Sequence, residues 1–259
     1  MLKTARMIYR LLALSLWTVV IYAMWQPGMW LTRPWPARRL HWRTLIFRTW
    51  ARGFANVLRM RISVRGQRPQ APFLLVTNHL SYVDIILLAS QLGCVFISRH
   101  DVESWPVIGH LTTKMGTIYI DRNARKDVVR VSAAIAAALA RGEGVTLFAE
   151  GTSTCGARIM PFKTSLLEIA VRSQQPVHYG SLSYRTNGQE TPAHLAVCWW
   201  GDMAFFAHVL NLLKLSRFEA EIVFGADTLL ETDRKALAQK LHERISLLFT
   251  PVAETDDLC

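Results

Sequence analysis

Beyond residue 70 the chain alternates between two patterns. Short β-branched and aliphatic runs give way to stretches in which apolar residues recur every three or four positions. The first pattern predicts strands and the second predicts helices facing them. Strands are expected over 73–78, 94–98, 116–121, 145–150, 177–184, 194–200 and 218–225. Helices are expected near 82–91, 104–114, 125–141, 162–174, 202–214 and 233–249. The alanine-rich 125–141 segment runs into Arg141-Gly142, a helix stop. Strands and helices in this order argue for an α/β layer structure.

The first 70 residues read differently. No charged residue interrupts Leu11 to Thr32. The continuous apolar part, Leu11 to Trp25, would form a helix of roughly 22 Å, short of the roughly 30 Å hydrocarbon core of a bilayer. Pro27-Gly28 then interrupts the run. The expectation is a shallow or re-entrant hairpin, followed by a basic helix over about 40–60 riding the membrane interface. A single span is the alternative.

Charge sharpens this division. The chain of 259 residues carries a net charge of +11. Residues 1–72 hold thirteen Lys/Arg and no Asp or Glu, the first acidic residue being Asp84, so the rest of the chain is close to neutral. A basic block could face nucleic acid, but this one is interleaved with Trp, Leu, Ile and Met. That composition describes a segment lying on an anionic membrane, and no nucleic-acid partner is expected. Basic residues on both flanks, Lys3, Arg6 and Arg10 before and Arg33, Arg38, Arg39 and Arg43 after, place both ends on the cytoplasmic side. The four cysteines show no metal-type spacing and no disulfide framework, which suits a reducing compartment. No Pro/Gly/Ser-rich linker divides the chain, so one catalytic domain with an N-terminal extension is expected.

Four places could carry chemistry. In "VTNHLSYVDIILL" (76–88), His79 precedes Asp84 by five residues at a strand-to-helix seam. On one helix they would lie about 140° apart, so they converge only if His79 is in the loop and Asp84 in the first helical turn. A capping box, Ser81-x-x-Asp84, explains the carboxylate without catalysis. In "TLFAEGTSTCG" (146–156), Glu150-Gly151-Thr152 follows a strand end, where α/β folds present loops to ligands, though an ordinary Gly-Thr-Ser turn reads the same way. Asp121-Arg122 ends another strand. Its guanidinium could fork onto a phosphate, or the pair could be solvated. Lys163 in "MPFKTSLL" is a further positive charge, of a kind that is ordinarily just exposed.

The order of these pieces is more specific than any one of them. Asn78-His79-x4-Asp84, then Gly116-x4-Asp121-Arg122, then Phe148-x-Glu150-Gly151-Thr152, then a Pro176-Val177 strand resembles the lysophosphatidic-acid acyltransferase family. The resemblance runs from about residue 70 to 185. It implies an α/β fold, a single glycerol-3-phosphate-acyltransferase-like αβα domain over 66–250. Residues 1–65 would be membrane-anchoring helices forming a membrane-associated helical hairpin, and 251–259 a flexible tail. It further implies that His79 is the general base for an acceptor hydroxyl and that Asp84 orients its imidazole. Glu150, Gly151 and Thr152 would bind the acceptor's polar head, Arg122 its phosphate, and Lys163 would add positive charge. The reaction would move a fatty acyl group from acyl-CoA or acyl carrier protein, as co-substrate, to a membrane lysolipid. No cofactor and no metal are expected, and the enzyme would work at the cytoplasmic face of the cell inner membrane.

The acceptor implied first is 1-acyl-sn-glycerol-3-phosphate, giving phosphatidic acid. One departure bears on it. The family commonly continues Glu-Gly-Thr-Arg-Ser, whereas this chain has Ser153-Thr154 after Thr152. A missing guanidinium makes a lyso-aminolipid such as lyso-ornithine lipid the competing acceptor. Two rivals lie further off. Gly151-Thr152-Ser153-Thr154-Cys155 approaches a serine-hydrolase elbow, with Asp202 and His208 downstream. The basic segment could also be a membrane anchor without catalysis.

Overall fold

In the computed structural model, residues 1–121 and 125–253 are described. Arg122, expected to bind the acceptor's phosphate, and positions 254–259 lie outside them. The N-terminus forms two long helices, α1 (Leu2–Leu31) and α2 (Pro36–Leu58). The body follows as β1 (Met60–Arg65), β2 (Phe73–Thr77), α3 (Val83–Leu92), β3 (Val95–Arg99), α4 (Ile108–Met115), β4 (Ile118–Ile120), α5 (Arg125–Ala140) and β5 (Gly144–Phe148). It ends in α6 (Thr164–Ser173), β6 (Val177–Arg185), the short α7 (Ala193–Ala196), α8 (Phe205–Leu212), β7 (Phe218–Phe224) and α9 (Arg234–Leu248).

The strands form one seven-stranded sheet in the order β1-β7-β6-β2-β5-β3-β4. Neighbouring strands are parallel except β6 and β7, so the sheet is mixed. Period-two alternation builds the two faces. On β2, Phe73 and Leu75 enter one core with α2 and α3, while Leu74 and Val76 enter the other with α5, α6 and α9. On β5, Val145 and Leu147 join the second core and Phe148 the first. This is an αβα sandwich, the domain the family resemblance implies, within the α/β layer class that the strand and helix alternation predicts.

Four expectations need correction. First, α1 runs unbroken through Pro27, and the hairpin turns at residues 32–35. Proline there removes one backbone hydrogen bond, but close packing holds the helix: a Cβ on Gly28 would come 2.0 Å from the Trp42 ring, and one on Gly53 2.1 Å from that of Trp17. The two glycines are notches that let each tryptophan lie against the opposite helix. Second, residues 60–65, assigned with the N-terminal block, form strand β1 at the sheet edge. "MRISVR" carries an alternating pattern inside a basic stretch. Third, 194–200 is not a strand. Ala193–Ala196 is one helical turn, and the segment after it is tied by Trp199 N–H to Leu80 O at 2.9 Å. Fourth, the tail is not free from residue 251, because Val252 N–H donates to Gly156 O at 2.8 Å and Ala253 is buried.

The hairpin is joined to the body by arginines. Arg10, buried in α1, donates to the carbonyls of Leu58, Leu213, Leu215 and Ser216. From α2, Arg48 and Arg52 reach the last carbonyls of α3 at Ser90 and Gln91, where the helix presents its negative end. Arg43 pairs with Glu143. Much of the basic block therefore serves the fold. The opposite side of α1 exposes Leu12, Leu16, Val19 and Met24.

Candidate active site

Register brings the first site residues together. β2 and β5 are parallel neighbours with Thr77 opposite Phe148, so two residues past each strand His79 stands beside Glu150. Chain leaving the carboxyl ends of adjacent parallel strands is where α/β folds form clefts. The backbone of β2 breaks away from β6 after Thr77↔Gly180. Asn78 covers the break with its side chain, which donates to Leu182 O at 3.0 Å and accepts from Leu182 N–H at 2.7 Å.

The loop then returns into α3, and the pair converges as expected. His79 Nδ1 lies 2.7 Å from Asp84 Oδ2, with Asp84 in the first turn of α3 and fully buried. The same oxygen accepts the backbone N–H groups of Leu80 at 2.7 Å and Ser81 at 3.0 Å. Asp84 thus closes half of the capping box, but the buried Ser81 hydroxyl returns no hydrogen bond. An ionised carboxylate can only accept from the imidazole, so Nδ1 is the donor of this pair, and in the neutral ring Nε2 presents a lone pair. Nε2 has no hydrogen-bond partner among the described residues, and 21 % of the side chain is exposed. The ring face is fixed as well, stacking on Phe148 with centroids 4.1 Å apart and planes at 17°.

Glu150 departs from its expected part. Rather than facing an acceptor, it is buried, and its two oxygens accept backbone N–H groups of His79 at 2.8 Å and Met160 at 3.0 Å. It clamps the His79 loop to the segment after β5. Burial first, and the charge of Asp84 in small part, push its carboxyl up to about 8, against the downward pull of the two hydrogen bonds. Gly151 has φ +77°, a left-handed turn that glycine alone takes easily. Thr152 after it is exposed. Thr154 N–H donates to His79 O at 3.0 Å, a second tie between the two loops. Lys163 N–H donates to Ala149 O at 2.8 Å, which brings this lysine to the end of β5, with its side chain in solvent at the start of α6.

Several contacts gave no sign of themselves in the sequence, although Asn78 and Phe148 stand within the quoted motifs. Phe148, Asn78 and Trp199 act through ring stacking or side-chain and backbone bonds. Tyr184 of β6, a hundred residues downstream, donates to Asp84 Oδ1 at 2.7 Å. Cys155 is disulfide-bonded, contrary to the absence of any disulfide expected from the spacing, while Cys94 and Cys198 are free buried thiols. The serine-hydrolase arrangement does not form. The Tyr82 hydroxyl occupies His208 Nδ1 at 3.0 Å, Asp202 is exposed, and no helix follows Ser153 until Thr164.

Comparison with known proteins gives the same direction. The Acyltransferase family profile matches residues 60–179, which span β1 through the first three residues of β6 and contain every residue of the His79 loop and the Glu150 clamp. Lyso-ornithine lipid O-acyltransferase of Brucella abortus is 32% identical over 226 residues, covering 80% of this chain and 82% of that one. The chain belongs to the acyltransferase family. This acyltransferase is also 30% identical over 203 residues to 1-acyl-sn-glycerol-3-phosphate acyltransferase of Neisseria meningitidis, covering 75% and 76% of the two chains. Its fold matches the crystal structure of the 1-acyl-sn-glycerophosphate (LPA) acyltransferase of Thermotoga maritima with a TM-score of 0.62, at 17% identity and over 93% and 95% of the chains. That the match takes in nearly the whole chain agrees with a hairpin packed on the catalytic body.

Proposed function

We propose that this acyltransferase moves a fatty acyl group from a soluble thioester, acyl-CoA or acyl carrier protein, to the free hydroxyl of a membrane lysolipid. The observation that carries it is the partly exposed Nε2, without a hydrogen-bond partner among the described residues, of an imidazole whose other nitrogen is held by Asp84. Nε2 takes the acceptor's hydroxyl proton as the oxygen attacks the thioester carbonyl. The imidazolium is stabilised by Asp84, and its proton goes to the departing thiolate, leaving ester and free thiol. No covalent acyl-enzyme is needed, and the chain's own residues supply the acid–base step.

Two observations favour a lyso-ornithine lipid as acceptor. Ser153 stands where the family commonly has arginine, so the loop lacks a phosphate fork, and the Brucella relative of that name covers four-fifths of this chain. 1-Acyl-sn-glycerol-3-phosphate is the second reading, supported by the Neisseria relative and by Lys163 at the end of β5. The exposed apolar face of α1 would rest in the cytoplasmic leaflet of the inner membrane, with α1 lying along the body rather than projecting from it. Purified enzyme offered both acceptors with a labelled acyl donor should acylate lyso-ornithine lipid with the higher kcat/KM. A higher value for the phosphate-bearing acceptor reverses the assignment, and transfer to neither overturns the reading.

A further inference from the structure

Asp84 spends its two oxygens unequally. Oδ2 takes three donors, from His79 Nδ1 and two backbone N–H groups, and Oδ1 takes the Tyr184 hydroxyl. That fourth bond is built into the sheet. Asn78 pairs by side chain with Leu182, so β2 can turn away while β6 runs on to position 184. There Tyr184 lies buried with its ring edge against Phe218, centroids 6.2 Å apart. A phenylalanine would fill the same space, so packing alone does not call for the hydroxyl.

We propose that Tyr184 is a positioning residue for the acyl-transfer reaction, its hydroxyl fixing Asp84 and thereby setting both the orientation and the proton affinity of His79. The inference rests on His79 acting as the base. Its physical content is a sign. By donating to Oδ1, the tyrosine draws negative charge away from Oδ2, which weakens the hold of Asp84 on the imidazolium. Without that donor, Asp84 stabilises the imidazolium more, and His79 stays protonated to higher pH.

The titratable groups facing Asp84 are His79 from its own loop, Tyr184 from β6, Cys198 after α7 and Glu150 after β5. Burial pushes the Tyr184 hydroxyl and the Cys198 thiol well up, so both stay protonated through the working range. Glu150 is the other group that titrates nearby, and Glu150→Gln separates its limb from that of His79.

The test is the pH dependence of kcat/KM for the wild type, Tyr184→Phe, Glu150→Gln and His79→Ala on the same acceptor. For Tyr184→Phe, kcat at neutral pH should fall about tenfold, KM should stay within about twofold, and the acid limb should move up by about half a pH unit or more. A uniform loss with the limb unmoved, or no loss, overturns the proposal. If His79→Ala keeps its activity, the base reading fails and the proposal falls with it. If His79→Ala is inactive and the Tyr184→Phe limb stands still, only the proposal falls. Should Tyr184→Phe not fold, 3-fluorotyrosine at position 184, a stronger donor of the same shape, should move the limb down, and an unmoved limb there counts against the proposal equally.

Discussion

Around His79 two carboxylates are buried and hydrogen-bonded; along α1 a buried arginine on one side contrasts with exposed apolar residues on the other. Asp84 and Glu150 are both buried, and their oxygens are taken up by named donors. On α1, Arg10 is buried against four carbonyls while Leu12, Leu16, Val19 and Met24 face outward. The proton transfer proposed for the first region needs each atom in place, because a misplacement of about 1 Å can cost roughly 10²-fold in rate. The second needs only apolar area and a rigid seat on the body. One chain therefore contains a site that is intolerant of small changes and a surface that is tolerant of them.

The contrast can be broken at several points. The largest stability loss is expected from Arg10→Ala, which leaves up to four buried carbonyls without their donor. Chemical denaturation should show a loss of roughly 2–4 kcal/mol, together with detachment of α1, read as faster proteolysis of the hairpin. A loss near zero would mean that Arg10 is no seat. Next comes Glu150→Gln. Because burial holds the Glu150 carboxyl up to about 8, the folded chain keeps a proton there that the unfolded chain loses at the ordinary carboxylate pH. Stability therefore falls as pH rises through that interval and levels off above it, with a slope of up to about 1.4 kcal/mol per pH unit. Urea midpoints across that range should show the slope in the wild type and not in Glu150→Gln. The smallest stability effect is expected from Leu12→Ser with Leu16→Ser, a change of about 0.5 kcal/mol or less. The same double variant should bind anionic lipid vesicles about tenfold or more weakly, as two exposed leucines lost to the interface imply. Unaltered vesicle binding would place the membrane contact elsewhere.

What the sequence made legible follows the range of the interactions involved. Strands β2, β3, β5, β6 and β7 were readable within a few residues because their β-branched runs are local signals. His79 and Asp84 were readable because five residues and a strand-to-helix seam suffice to bring them together. The direction of Glu150 was not, since it depends on the pairing of Thr77 with Phe148 across two strands. Tyr184 gave no signal at all, its partner being a hundred residues away. The segment 194–200 looked like a strand by composition, yet Trp199 and Trp200 spend their N–H groups on Leu80, Met203 and His194 in a local fold that no periodicity encodes. Pro27 misled for the opposite reason. A local breaker was overruled by tryptophans packed into glycine notches on the facing helix.

The central claim is that the free nitrogen of His79 is the base. Its most direct test is the rate of acyl transfer by His79→Ala, measured on vesicles that also report membrane binding. The account predicts a fall of roughly 10²-fold or more with binding unchanged. Turnover equal to the wild type, in a variant that still binds the vesicles, would contradict it.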